Sequence, residues 1–483
     1  MHKRLILVVV PLYFLSACVE PSAAPQVNIT VATQYAEAKH NPQSQRPAPK
    51  IAADWPRLFG STELTLLSRQ AQSNNLDIAA AAARIQQAEA QARIASSALY
   101  PSLSGASDAS RAQSSGTTRS KTGPYFTFVG NQFDLGLNAS YNIDFWGKNQ
   151  DAATAARLGT AASQFDRDVI ALSTAASVAN NYFQVLAAQD RLNIARANLA
   201  TAERVLAAIK GRLAVGTASG LDVASQETTV AQQRANIPPL MQNVQQIRNT
   251  LAVLLGQTPE NTRIKGGSLN GLRSPHPKAG IPSQLLLRRP DIMEAEARLL
   301  GAGANVEVAR KAFLPSVNLS GKAGLQSALI QNLFRPESTI ASLVSSLTQP
   351  IFDGYNLQGQ LDLNRAKQDE LLQNYRKSII SAFSDVENAL IAVRLTSEHE
   401  RLQGLAVSSS RKAYQITEER LREGTIDIVT LLTSQQTLFQ TQDALVLIRL
   451  QRYQALISLF QALGGGYDYE PILPKPVNVD SAE

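Results

Sequence analysis

Cysteine is nearly missing from this chain: of 483 residues one is Cys and four are His, and aromatics make up only 6%. A disulfide scaffold and a thiolate metal site are excluded, and four scattered histidines leave too few ligands for a His-rich one. Charge is also sparse at 18%, while hydrophobic residues reach 44%. That balance is too apolar for a disordered chain. No phosphate-binding G-x-x-x-x-G-K-[S/T] loop occurs, since Gly147-Lys148 and Gly321-Lys322 lack the upstream glycine and the following hydroxyl. No H-E-x-x-H and no dinucleotide fingerprint are present either. The formal charge is +7, without any Arg/Lys run interleaved with aromatics, so nucleic acid is not an expected partner. These absences point away from an enzyme.

What is present begins with an address. Lys3 and Arg4 precede an apolar run from Leu5 to Leu15, followed by Leu15-Ser16-Ala17-Cys18. A basic start, a short apolar core and small residues before a cut site describe a secretory signal, too short for a membrane span. The only cysteine sits where a bacterial lipoprotein box places its acylated residue. Residues 1–17 are thus expected to be removed, and Cys18 to carry an N-acyl/S-diacylglycerol lipid, with no other cofactor. By the same resemblance, Val19 stands where inner-membrane retention expects Asp, so sorting goes to the outer membrane.

The chain then repeats itself. Leu76-Asp77-Ile78 leads to Leu99-Tyr100-Pro101-Ser102, and Pro290-Asp291-Ile292 leads to Phe313-Leu314-Pro315-Ser316, with Pro101 and Pro315 214 residues apart. Arg212-Leu213-Ala214-Val215-Gly216-Thr217 matches Arg420-Leu421-Arg422-Glu423-Gly424-Thr425 at a spacing of 208. One shorter loop in the second copy accounts for the drift.

Each half reads as short helix, two strands, very long helix, turn, second helix. From Phe133 to Phe145 the odd positions (Phe133, Leu135, Leu137, Ala139, Tyr141, Ile143) are apolar and the even ones polar or small, the signature of a strand with one greasy face. Pro315 to Leu329 alternates as well. Asp151 to Val215 runs 65 residues without proline, long enough for one helix of about 97 Å. The helices beyond each turn carry seven-residue repeats: Val223, Val230, Ile237, Val244 and Leu251, then Leu432, Phe439, Val446, Tyr453 and Phe460. Such spacing asks for neighbouring helices packed knobs-into-holes, and Pro238-Pro239 predicts a kink or break in the first copy.

The expected boundaries are a signal peptide at 1–17 and a lipid-anchored segment at 18–60. A first repeat covers 61–257, with strands about 101–111 and 132–145, a long helix about 148–214 and a tip about 215–222. After a linker at 258–281 comes a second repeat at 282–463, with strands about 315–328 and 339–352, a long helix about 355–422 and a tip about 423–428. A tail follows at 464–483. Four strands with a lipid-compatible face cannot stand alone in a bilayer, because each unpaired edge group costs several kcal/mol. Closed membrane barrels need about eight or more strands, so several copies must share one; three would supply about twelve.

At this point the residues resemble the TolC/OprM-like outer-membrane efflux proteins, in their lipoprotein branch. The resemblance is carried by the Cys18 box, Asn75-Leu76-Asp77, Tyr100-Pro101-Ser102-Leu103, Leu254-Leu255-Gly256, Leu287-Arg288-Arg289-Pro290-Asp291-Ile292, Phe313-Leu314-Pro315, Val215-Gly216-Thr217 and Gly424-Thr425. It covers roughly residues 55 to 464. It implies a mixed, mainly α protein and a homotrimer, with a twelve-stranded outer-membrane β-barrel continuous with a long periplasmic α-helical barrel. It further implies a closable inner end, and a passive duct fed by an inner-membrane resistance–nodulation–division pump through a periplasmic adaptor. Arg212, Leu213, Gly216, Thr217, Arg420, Leu421, Gly424 and Thr425 become docking candidates for that adaptor, against the plainer reading of helix termination. Asp427, and more weakly Asp222, become aperture candidates, against the plainer reading that each caps a helix. Arg288-Arg289-Pro290-Asp291 reads as a helix start rather than a transport site, and Tyr141, Phe145 and Trp146 as interfacial rings or packing at the strand–helix junction. Two other functions fit the same pattern less well: protein export with an ATP-driven partner, and a lipid-anchored coiled-coil protein without a pore.

Overall fold

The computed structural model describes residues 35–37, 54–115, 128–275, 285–467 and 469. The signal peptide, Cys18 and most of the 18–60 segment lie outside them, as do 276–281 of the linker, the first three residues of the second repeat (282–284) and 470–483 of the tail. The described residues divide into two compact units, one drawn from 90–158 and 299–372, the other from 29–89, 159–298 and 373–483.

The first unit holds the sheet. Strands β1 (Ser102–Ser114), β2 (Phe128–Ile143), β3 (Ser316–Ser327) and β4 (Thr339–Thr348) follow one another in spatial order, each antiparallel to the next. The register places Leu103 opposite Ala139, Gly321 opposite Ala139, and Leu343 opposite Gly321. Because alternate residues share a face, Leu103, Leu135, Leu137, Tyr141, Val317, Leu319, Leu325, Leu343 and Leu347 line one side of the four strands. The other side gathers Asp108, Asp134, Asn138 and Lys322, with Gln326 donating to the Asp134 carboxylate at 2.9 Å. Gly136 and Gly324 face each other between β2 and β3. A Cβ on Gly324 would lie 2.4 Å from the Leu135 carbonyl oxygen, so only glycine permits this approach.

Three strands differ from expectation. β1 continues to Ser114, β2 runs Phe128–Ile143 rather than 132–145, and β4 stops at Thr348 rather than 352. Pro350 has no N–H to give the ladder, and Ile351 is 96% exposed. At the strand–helix junction, Asp144 accepts the amides of Asn149 (2.9 Å) and Gln150 (2.8 Å) as the long helix α3 (Lys148–Ala214) begins. Trp146 donates its indole N–H to the Pro315 carbonyl at 2.7 Å, so this ring packs the junction. Lys311, at the end of helix α6 (Pro290–Lys311), pairs with Asp151 at 2.6 Å.

The second unit holds the main core. Helix α1 (Thr62–Asn74) and the turn before it bring Trp55, Phe59 and Leu64 against Phe183 of α3 and Tyr453 and Phe460 of α8 (Ile428–Ala462). Trp55 stacks on Phe460 at 5.2 Å between ring centres. Each such side chain, fully buried, stabilises by roughly 1.5–3 kcal/mol. A second cluster unites Tyr35 and Ile292 with Ile379 and Val386 of α7 (Asn356–Arg422). Beside it the amides of Ala36 and Glu37 bond the Glu387 carboxylate.

The sequence motifs around Asn75 have a structural reason. Asn75 caps α2 (Leu76–Ser97), its Oδ1 accepting from the Asp77 and Ile78 amides, while its Nδ2 donates to the Leu254 carbonyl at 2.9 Å. Gly256, at φ +66°, lies so close that a Cβ would sit 2.1 Å from the Asn74 carbonyl oxygen. The Pro238-Pro239 break is present as well: α4 (Gly220–Ala235) ends, Asn236 intervenes, and α5 (Ile237–Leu254) starts with proline in its first turn. The second repeat has one unbroken helix, α8, in the same place.

Candidate functional site: the paired helix–turn–helix tips

Both tips lie in the second unit, and the same turn closes each long helix. Gly216 has φ +79° and Gly424 φ +76°. The Gly216 amide donates to the Leu213 carbonyl (3.0 Å) and the Thr217 amide to that of Arg212 (2.9 Å). Gly424 and Thr425 repeat this with Leu421 (3.1 Å) and Arg420 (3.0 Å). In both, the threonine hydroxyl also donates to the arginine carbonyl, at 3.1 Å. This is the paired-bond glycine terminus that satisfies the last carbonyls of a helix. The six-residue match thus encodes one geometry twice.

The next residues start the second helices differently. Ser219 caps α4 in a reciprocal box: its Oγ accepts the Asp222 amide, and Asp222 Oδ2 accepts the Ser219 amide at 2.8 Å. Asp427 caps α8, accepting from the Thr430 amide (2.8 Å) and hydroxyl (2.6 Å). The Thr430 hydroxyl and amide hold the Asp427 carboxyl below the usual carboxylate range. Both candidate aspartates therefore act as caps, and Asp427, fully exposed, presents its charge to solvent.

The structure brings the tips together through one arginine. Arg212 Nη1 donates to the Leu421 carbonyl of the other tip at 2.8 Å. Its counterpart Arg420 is exposed. Beneath them Val205 and Ile209 of α3, Tyr414 of α7, and Ile428, Leu431 and Leu438 of α8 form one core, with Val223 of α4 at its edge. Burial and the nearby Glu418 push the Tyr414 phenol up to about 12. Leu213, Val215, Leu221 and Val429 remain exposed, so apolar side chains stand among the exposed Arg420 and Asp427 on the tip surface. Exposed pairs such as Lys210–Glu227 (2.7 Å) and Arg234–Glu203 (2.8 Å) link α3 to α4 and contribute little each.

Two residues of this core are absent from the sequence-derived candidates: Gln226 and Gln435, both 0% exposed. Each stands three residues after a heptad position, Val223 and Leu432, so its register was visible but its burial was not. Gln226 Nε2 donates to the Ala202 carbonyl at 2.8 Å. Neither Nε2 nor Oε1 of Gln435 has a partner among the described residues. A buried amide left so costs about 1–3 kcal/mol. Along the same helix, hydroxyl pairs bridge α7 and α8: Thr417–Ser434 at 2.7 Å and Ser410–Thr441 at 2.8 Å.

Arg289 is structural. It holds Asp291 through two bonds (3.0 and 2.7 Å) and Asp385 through a third (2.9 Å). Among the described residues no cluster of three or more His, Cys, Asp or Glu is placed to hold a metal ion, and no described helix is long and apolar enough to cross a membrane.

An antiparallel sheet with one apolar face, joined in sequence to duplicated long helices that end in matched tips, defines the outer-membrane channel class. The solved structure of the CmeC outer membrane channel from Campylobacter jejuni superposes with a TM-score of 0.84 at 25% identity, over 93% of this chain and 96% of that one. The chain belongs to the outer membrane efflux protein family, whose model matches residues 67–257 and 281–465. The pyoverdine export outer membrane protein OpmQ of Pseudomonas putida is 38% identical over 424 residues, 86% of this chain and 88% of that protein. The toluene efflux pump outer membrane protein TtgF, from another strain of Pseudomonas putida, is 32% identical over 452 residues, 93% and 92% respectively. The protein is an efflux channel component of the outer membrane.

Proposed function

We infer that this chain is the exit duct of a tripartite efflux pump, a homotrimer whose sheets close one twelve-stranded barrel and whose tips receive a periplasmic adaptor. The observation that carries this reading is the sheet itself. Among the described residues β1 and β4 each have one strand neighbour, leaving two open edges beside a continuous apolar face. In lipid those edges must be paired, and further copies of the same sheet supply the matching strands. Lipid on Cys18 anchors each copy. The exposed apolar residues Leu213, Val215, Leu221 and Val429 suit a helical partner such as the adaptor's hairpin. The inner-membrane pump, of the resistance–nodulation–division type, supplies energy and chooses the cargo. OpmQ and TtgF, named for pyoverdine export and for toluene efflux, support a small-molecule cargo and a duct of broad tolerance. Asp427 and Asp222, repeated by symmetry, would ring the inner aperture and favour cations there.

Deletion of the gene tests this: cells should become sensitive to small amphipathic toxicants, and purified protein should form a trimer that conducts in planar bilayers. Unchanged susceptibility across a broad compound panel, or only single subunits in detergent, sinks the reading.

A further inference from the structure

We propose that Gln435 keeps the tip core convertible, so that its buried amide is a determinant of how readily the inner end opens. The argument starts from the line of α8 residues that face inward near the tip. Ile428, Leu431 and Leu438 are buried there, spaced as successive turns of one helix face, and Gln435 occupies the position between Leu431 and Leu438. A leucine or methionine there would continue the core. Glutamine instead encloses a carbonyl and two N–H groups between Leu431 and Leu438, and neither of its polar atoms has a partner among the described residues.

Three observations give this more weight than a packing defect. Gln435 is 0% exposed within one chain, so no second copy or adaptor reaches its amide while the helices keep this packing. Only a shift or rotation of α8 against its neighbours can bring the amide to a carbonyl, a hydroxyl or solvent. The other repeat meets half of the same problem: the Nε2 of Gln226, 209 residues earlier, donates to the Ala202 carbonyl at 2.8 Å, while its Oε1, like both polar atoms of Gln435, has no partner among the described residues. The α7–α8 seam around Gln435 is also rich in hydroxyls that can exchange partners, Thr417 with Ser434 and Ser410 with Thr441. A seam held by hydroxyl pairs and an unsatisfied amide lies closer in free energy to alternative registers than one of interlocked leucines. The packed tip is thereby destabilised relative to any arrangement in which the amide is solvated.

This inference rests on reading the tips as the closable end of a duct. Its test uses the full-length, membrane-extracted protein and the volume-conserving variant Gln435→Met, with Gln435→Leu as a second. Amide hydrogen exchange across residues 428–441 should slow by about tenfold in both, and single-channel recordings should show longer closed times. Gln226→Met, which removes the side-chain donor to the Ala202 carbonyl, should instead speed exchange across residues 220–235. Exchange that is unchanged or faster in both Gln435 variants overturns the proposal, as does slowed exchange with unaltered closed times. The deletion strain separates the two readings: sensitisation with no effect of Gln435→Met on exchange removes this inference alone. Slowed exchange with longer closed times in a protein whose deletion has no phenotype removes the efflux role and leaves the closable channel on which this inference rests.

Discussion

The Arg212 guanidinium reaches across from the first tip to the Leu421 carbonyl of the second, at 2.8 Å, although the two residues are 209 apart in sequence. This bond joins the duplicated turns into one platform. Its counterpart Arg420 lies exposed, so the two repeats are alike in backbone and unlike in role. Arg212→Ala should therefore destabilise the tip by about 1 kcal/mol, and Arg420→Ala should stay within about 0.5 kcal/mol. Denaturant unfolding followed by a fluorophore at the tip distinguishes them, and equal effects would contradict the assignment.

Glycine substitutions separate backbone strain from collision. Gly216 and Gly424 adopt positive φ with nothing within 4 Å of where a Cβ would stand. Alanine there costs only the left-handed conformation, about 1–2 kcal/mol. Gly464 is different, because a Cβ would come within 2.2 Å of the Arg288 carbonyl oxygen, a backbone atom that cannot turn aside. Gly464→Ala should cut the yield of folded protein sharply, while Gly216→Ala remains foldable, as thermal melts of purified protein would record.

The sheet offers a test by face. Leu137 and Asn138 are sequence neighbours on opposite sides of β2. With the apolar face toward lipid, Leu137→Arg should destabilise by about 2–4 kcal/mol near the bilayer midplane, whereas Asn138→Arg should insert normally. Heat-stable oligomer on gels and outer-membrane yield measure both. Equal tolerance would mean the apolar side does not meet lipid.

Acid should loosen the second tip through Asp427. Its carboxyl titrates below the unfolded value because Thr430 bonds the ionised form. A depressed folded pKa stabilises above the unfolded value near 4 and loses that contribution as pH falls through the folded one. Exchange of the first α8 amides should therefore accelerate below about pH 4. Asp427→Asn keeps the cap but removes the charge, so its exchange should lack that acid step.

Cys18 lies outside the described residues, and its role is tested directly. Cys18→Ala should abolish incorporation of radiolabelled palmitate and lower the amount of assembled protein without preventing assembly. Labelling that persists in the variant would place the lipid elsewhere.

Much of this architecture was legible because its signals are local. Alternation from Phe133 to Ile143 gave β2, and the two Gly-Thr turns are visible as a repeated hexapeptide. Pro238-Pro239 marked the break between α4 and α5. The outer strands were weaker. β1 is largely Ser, Ala and Gly and carries little pattern of its own, and β4 needed the position of Pro350 in the ladder to show where pairing ends. The aspartates were legible as caps, since capping depends on residues three positions away.

The periods are written in the order of residues alone: two in the strands, seven in the helices beyond the tips, about 210 between the halves. These are consequences of backbone geometry, which each stretch of chain expresses from its near neighbours. Only the tertiary structure decided that Arg212 rather than Arg420 spans the tips, that Asn75 ties α2 to Leu254, and that one of two matched glutamines is buried without a partner. Those outcomes depend on which side chains a distant segment brings alongside, and that choice is made by packing between elements far apart in the chain.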